Sequence, residues 1–115
     1  MQKDEALIVS NDAVIVLAII DDRVAAFAQC QLRRDYVEGT HTSPVSYLEG
    51  IFVREEYQGK GIARVLLHSY EGWAREHSCT EFASDCELSN TVSRIFHIHT
   101  GFRETNRIAC FIECL

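Results

Sequence analysis

Apolar and polar residues change rhythm along this chain, and each change marks an element. Ala13-Val14-Ile15-Val16-Leu17-Ala18-Ile19-Ile20 is rich in β-branched residues and is closed by Asp21-Asp22-Arg23. That pattern predicts a buried strand and a tight turn. Residues 24–32 follow at once, with small and apolar side chains around Gln29 and Gln31, so the pair reads as a hairpin. A polar loop over 33–44 leads to a third strand, Val45–Val53. Its alternation puts Tyr47, Glu49, Ile51 and Val53 on one face, and Leu48, Gly50 and Phe52 on the other. Helical periodicity then takes over. Ile62, Val65, Leu66, Ser69 and Trp73 form an apolar stripe in a helix predicted over 59–77. Residues 81–85 read as a short strand, and 90–100 as a second helix stopped by Gly101. Residues 102–105 and 108–114 read as two closing strands.

The order is therefore β-β-β-α-β-α-β-β, an α/β chain with a mixed sheet. A right-handed crossover through the long helix makes Val45–Val53 parallel to the strand at 81–85. At 115 residues with no dividing linker, 1–115 is expected to be a single domain. The longest apolar run, Ala13–Ile20, falls far short of the roughly 20 residues of a membrane span. Eleven Lys and Arg against seventeen Asp and Glu give a net charge of −6. That disfavours nucleic acid or an anionic membrane as partner and suits a cationic ligand. The five cysteines contain no Cys-x-x-Cys pair, and Gln2-Lys3-Asp4-Glu5 is not the start of a secretory leader. Reduced thiols in a cytoplasmic protein are expected. The histidines do not suggest a metal site: His97 and His99 lie two apart on a helix and point to different sides.

The segment that carries most chemistry is Gln58-Gly59-Lys60-Gly61-Ile62-Ala63, between a strand and an amphipathic helix. Two glycines there let the backbone turn sharply and present successive N–H groups beside the positive end of the helix dipole. Such a turn suits an anion, a pyrophosphate above all, and Lys60 adds a charge at its mouth. It is not a Walker loop, which needs Gly-Lys followed by Ser or Thr. It also lacks the three glycines of a dinucleotide fingerprint. A plain glycine turn capping a helix has the same composition.

The spacing Gln-x-x-Gly-x-Ala resembles motif A of the GNAT superfamily of N-acetyltransferases. The likeness extends to Leu48-Glu49-Gly50-Ile51-Phe52-Val53, Asp35-Tyr36-Val37-Glu38-Gly39 and Thr42-Ser43-Pro44. It continues through Cys79-Thr80-Glu81-Phe82-Ala83-Ser84-Asp85, Asn90 and His97-x-x-x-Gly101-Phe102. Together these segments look like the aminoglycoside 6′-N-acetyltransferases, over nearly the whole chain. The resemblance implies a GNAT fold and acetyl transfer from acetyl-CoA to an aminoglycoside amine by direct attack in a ternary complex. An alternative acceptor is another amine, such as a polyamine or peptide. A CoA-binding or assembly protein with little activity is a further alternative. The resemblance also places Met1 near the end of a second helix, so that the chain lacks an opening strand and two helices. On that reading Ala13–Ile20 loses its edge partner, and a homodimer is expected to cover the exposed surface.

The resemblance also implies roles for particular residues. Backbone groups of Ile51, Phe52 and Val53 would bond the pantetheine arm. Gln58, Gly59, Lys60, Gly61, Ile62 and Ala63 would hold the pyrophosphate, and Asn90 would contact the cofactor near the second helix. Glu49 and Asp85 match the acceptor-binding carboxylates, with Tyr36 on the loop that rims the site. One carboxylate would orient the amine and the other would deprotonate it, directly or through water. The plainer readings are a strand charge paired with an arginine for Glu49 and a cap for Asp85. No tyrosine follows Tyr70 to serve as acid for the departing thiolate, and neither His97 nor Cys110 is a convincing substitute.

Overall fold

The computed structural model describes residues 3–115, which group into two compact units, the first ending at Asp85 and the second spanning Cys86–Leu115. The first unit is built on five strands: β1 (Lys3–Ser10), β2 (Ala13–Ile20), β3 (Arg23–Arg33), β4 (Val45–Val53) and β5 (Phe82–Ser84). They lie in the order β1-β2-β3-β4-β5. The first four pair antiparallel. β4 and β5 run parallel, as the crossover through α1 (Ile62–Glu76) requires. A short 3-10 turn, Glu55–Tyr57, leads from β4 toward α1.

Turn chemistry explains the hairpins. Asp21 and Asp22 both have positive φ, 51° and 65°, and join Ile20 to its partner Arg23 as a two-residue turn. Mirror-image turns of this kind match the strand twist, and Asp tolerates them. Asn11, at φ 52°, serves the β1–β2 connection in the same way.

α1 covers one face of β2, β3 and β4. The core beneath it holds Val14, Val16, Ala18 and Ile20 of β2, with Ala28 and Cys30 of β3. Small residues on β3 let the helix lie close to the sheet. The buried stripe of α1 is Ile62, Leu66, Leu67, Tyr70 and Ala74. This corrects the expected stripe: Val65 is 36% exposed, and Trp73 stacks between Tyr70 and His77 at centroid distances of 5.7 and 3.9 Å. The buried hydroxyls of Tyr70 and Ser46 lie near one another without a well-formed hydrogen bond.

β4 departs from simple alternation. Gln29 pairs with Gly50 and Cys30 pairs with Leu48, so Glu49 is an extra residue with no partner. This bulge turns the following residues over. Ile51, opposite Ala28, joins Leu48 on the helix-covered face, whereas Phe52, opposite Phe27, joins Tyr47 on the other. The expected faces therefore hold up to Glu49 and invert beyond it.

Differences also appear at both ends. Ala13–Ile20 has a full antiparallel partner in β1, so it is not left as an edge. The edge is β1, where Asp4 and Glu5 are exposed. The expected helix end near Met1 lies outside the described residues. In the second unit α2 (Thr91–His99) forms as expected, with Asn90 as its N-cap. The predicted strands at 102–105 and 108–114 are absent, and those residues adopt no regular structure. A strand exists only where its N–H and C=O groups meet a ladder, and none is offered to them among the described residues. Cys110 and Cys114, within the second of these segments, are exposed. Among the described residues no helix is long and apolar enough to cross a membrane.

Candidate active site

Gly59 and Gly61 shape the turn into α1, at φ +75° and +76°. A side chain is costly in that left-handed region. Nothing lies within 4 Å of a Cβ built at either glycine, so the outer side of the loop is open. Gln58, Gly59, Lys60 and Gly61 are exposed, while Ile62 is buried and anchors the helix start. Gly61 is the N-cap and supplies no capping side chain. Among the described residues, the amides of Gly59, Lys60, Gly61, Ile62 and Ala63 donate to no backbone carbonyl. The helix ladder begins with Val65 N to Gly61 O at 3.2 Å. Outward amides and the helix dipole thus converge on one spot, which fits a pyrophosphate. Gln58 behaves differently. Its amide donates to Glu55 O at 3.2 Å and its Nε2 to Val53 O at 3.1 Å, so it braces the loop against the end of β4.

Next to this loop, β4 has an open edge. β5 pairs with β4 only from Ser46 to Leu48, leaving 49–53 without a strand partner on that side among the described residues of the first unit. Arg54 N donates to Ala25 O at 2.9 Å, so Arg54 turns its backbone toward β3. Alternation along an antiparallel ladder then turns Phe52 toward β3 as well, and Ile51 and Val53 toward the open side. The backbone groups free to accept an added extended chain belong to Ile51 and Val53, with the Val53 carbonyl shared by Gln58. Phe52 offers a side chain, 53% exposed on the face away from α1.

The two carboxylates lie within one charged group. Glu49, at the bulge, accepts from Arg33 Nη2 at 2.7 Å. The Arg33 guanidinium lies over the Tyr47 ring, 3.6 Å from its centroid. Tyr47, only 7% exposed, lies close enough to Asp85 for that carboxylate to act on its phenol. Burial and the neighbouring Asp85 carboxylate hold the Tyr47 phenol well above its ordinary range, so it stays protonated. The hydrogen bond to Glu49 raises Arg33, with the charges of Glu49 and Asp85 adding to it. The Cys30 thiol, buried and then opposed by Glu49, is pushed up to about 12. It is an inert neutral group beside the site. Sequence reasoning singled out neither Arg33 nor Tyr47. The signal was the alternation that puts Tyr47 beside Glu49, but strand pairing was needed to bring in Arg33.

Tyr36 stands apart. It is 76% exposed, its hydroxyl donates to Glu38 Oε2 at 3.4 Å, and it makes no hydrogen bond to Glu49 or Asp85. The loop that carries it is pinned at its far end, where Glu81 accepts from the amides of His41 and Thr42, each at 2.8 Å, and from the Thr42 hydroxyl. Asn90 belongs to the second unit, where its side chain accepts from Ser93 N at 3.1 Å and caps α2. Among the described residues no group of three His, Cys, Asp or Glu is placed to hold a metal ion.

A five-strand mixed sheet, a glycine turn feeding the long helix and a β4 edge left open beside it define an acyl-CoA-dependent transferase architecture. The model of the acetyltransferase (GNAT) family matches residues 2–102, and the chain belongs to that family. It is 44% identical over 112 residues to an aminoglycoside N(6′)-acetyltransferase type 1 of Acinetobacter baumannii, covering 96% of this chain and 77% of that protein. The corresponding protein of Acinetobacter haemolyticus is 40% identical over 111 residues, with the same coverage. Among solved structures, the aminoglycoside 6′-N-acetyltransferase AAC(6′)-Ih from A. baumannii superposes with a TM-score of 0.86 at 42% identity, over 92% of this chain and 73% of that one. AAC(6′)-Iy in complex with a CoA-S-monomethyl-acetylneamine bisubstrate analogue gives a TM-score of 0.86 at 34% identity, over 92% and 72%.

Proposed function

We propose that this protein transfers the acetyl group of acetyl-CoA to the 6′-amine of an aminoglycoside by direct attack in a ternary complex. The observation that carries this reading is the open edge of β4, which runs from the unpartnered amides of the glycine turn to the acidic pair. Acetyl-CoA supplies an activated acyl thioester. The chain's own part is to hold and orient. The amides from Gly59 to Ala63, with Lys60, would hold the pyrophosphate, and the free backbone groups of Ile51 and Val53 would bond the pantetheine arm as an added strand. In the second unit, Asn90 is the remaining candidate for cofactor contact.

Glu49 and Asp85 give the acceptor site its negative charge, which suits a polyammonium sugar. An ammonium has no lone pair, so a proton must leave before attack. Glu49, more exposed than the buried Tyr47 beneath it, would take that proton directly or through water. Asp85, near the Tyr47 phenol, would orient the amine, and Tyr36 would line the approach. A backbone N–H near Ile51 is placed to stabilise the charge that grows on the thioester oxygen.

A homodimer is the assembly this reading favours. The sheet face away from α1 exposes the apolar side chains of Ile8, Phe27 and Phe52, and Ile8 and Phe52 are more than half exposed. A second copy would cover it. The free cysteines, with no disulfide among them, agree with a cytoplasmic site of action.

The test is release of free CoA thiol from acetyl-CoA with kanamycin, with spermine, or with no acceptor. Turnover dependent on kanamycin is expected. Equal release with spermine would move the acceptor to another amine class, and CoA binding without any release would make the chain a CoA-binding module. Sedimentation at micromolar concentration reads the assembly separately, and a strict monomer would remove the dimer.

A further inference from the structure

Arg33 is an unexpected presence in a site meant for a cation. A guanidinium repels an incoming ammonium and occupies the carboxylate that the ammonium would use, yet the structure holds Arg33 from two sides. Its Nη2 donates to Glu49 Oε1 at 2.7 Å, and its Cζ lies over the Tyr47 ring, 3.6 Å from the centroid. The side chains of Arg33 and Glu49 are 40% and 30% exposed, so the pair sits at the mouth of the site and not in the core. An arginine is the side chain suited to both contacts at once, because its flat fork stacks and donates in the same pose.

Glu49 needs such a hold. It is the extra residue of a β-bulge and so has no cross-strand neighbour to fix its direction. The ring of Tyr47 is the seat of that hold, with Asp85 near its phenol. Stacking joins the hold and its seat into one unit: Glu49, Arg33 and Tyr47 form a continuous chain of contacts on the sheet face away from α1, with Asp85 nearby. Two carboxylates and one guanidinium leave a negative excess, so a cationic acceptor is still attracted after the carboxylates have been positioned.

We propose that Arg33 is a positioning residue and a resident counter-ion of the acceptor site, aiming Glu49 at the reacting amine from its seat on Tyr47 while competing with substrate ammonium for that carboxylate. This deepens the acetyltransferase reading and rests on it. Two effects of opposite sign follow. Removing the cation frees the carboxylates to bind the acceptor more tightly, and it also lets Glu49 wander from its productive direction. A residue with a merely structural role would weaken binding and turnover together.

The experiment compares wild type, Arg33→Gln, Arg33→Lys and Tyr47→Phe as the full chain, with kanamycin kinetics and calorimetric kanamycin binding. For Arg33→Gln, the kanamycin Kd should fall about three- to fivefold, the size of an exposed ion pair. Its kcat should fall about tenfold or more, as expected when a proton acceptor loses its aim. KM for acetyl-CoA should stay within about twofold, since the pyrophosphate turn is untouched. Arg33→Lys should restore wild-type kanamycin affinity, because the cation is back, but only part of kcat, because an ammonium cannot stack and fork together. Tyr47→Phe keeps the ring beneath Arg33 and removes only the hydroxyl, so its kanamycin Kd should stay near wild type. An active wild type with Arg33→Gln unchanged in Kd and kcat overturns the role of Arg33 alone, as does parallel weakening of kanamycin and acetyl-CoA binding. A wild type that neither binds nor acetylates kanamycin overturns the acetyltransferase reading, and this inference with it.

Discussion

Arg33 and Glu49 stand sixteen residues apart in the chain and 2.7 Å apart in space, joined across β3 and β4 at the point where a bulge leaves Glu49 without a strand partner. This pairing shows that the ordinary structural role of a strand carboxylate and a chemical role need not exclude each other. The ion pair orients Glu49 while leaving it partly exposed toward the site.

Removing the charge of either carboxylate separates chemistry from cofactor binding. Glu49→Gln and Asp85→Asn keep side-chain volume, and neither residue touches the glycine turn. Each is expected to lower kcat by about a hundredfold, Glu49→Gln by losing the proton acceptor and Asp85→Asn by losing the orientation of the amine, with acetyl-CoA affinity nearly unchanged. Steady-state kinetics alongside acetyl-CoA calorimetry checks both halves. A variant with wild-type kcat would relieve that carboxylate of its role.

The glycine turn makes a backbone prediction. Gly61 has φ +76° and open space around its Cβ position, so Gly61→Ala creates no clash and acts through conformation alone. The strain is about 1–2 kcal/mol, and the loop can escape it only by turning its amides away from their shared focus. Acetyl-CoA affinity should drop several-fold while kanamycin affinity holds. Unchanged acetyl-CoA affinity would mean that the amides of this turn do not grip the pyrophosphate.

Glu81 sets an acid limit on the loop that carries Tyr36. The Thr42 hydroxyl, first, and the His41 amide lower its pKa below the usual carboxylate value. A depressed carboxylate contributes its hold above the unfolded pKa and loses it as pH falls through the folded value. The His41 and Thr42 amides should therefore be protected from hydrogen exchange at neutral pH and exposed well into the acid range. In Glu81→Gln their protection should be weaker at neutral pH and no longer vary with acid. Amides that stay protected below the carboxylate range would show that Glu81 is not the clamp.

The core under α1 makes a prediction with a contrast built in. The Tyr70 hydroxyl is buried without a well-formed hydrogen bond, so Tyr70→Phe removes an unsatisfied group and should leave stability within about 0.5 kcal/mol or raise it. Leu66, fully buried on the same helix, should cost about 2–5 kcal/mol as Leu66→Ala through the cavity it leaves. Urea denaturation of the two variants reads both. A large loss in Tyr70→Phe would mean that the Ser46 and Tyr70 hydroxyls do pair.

Elements set by nearby residues could be read from the chain directly. β2, β3, β4, both helices and the glycine turn followed from periodicity, from Asp21-Asp22 and from Gly59 and Gly61, because such signals act within a few bonds. The GNAT resemblance rested on those same local segments. Contacts between distant residues could not be read that way. β1 was missed because its apolar centre, Leu7 to Val9, is short and follows charged residues, and only pairing with β2 gives it strand geometry. The bulge at Glu49 was invisible because it is a mismatch of register between two strands, a property of neither strand alone. Arg33 entered the site for the same reason, through the pairing that sets β3 against β4. The apolar run at 108–114 shows the converse, since residues with strand preference form no strand where no ladder receives them. Torsional preference and periodicity are local and travel with the sequence, whereas register and charge pairing are decided when separate segments meet.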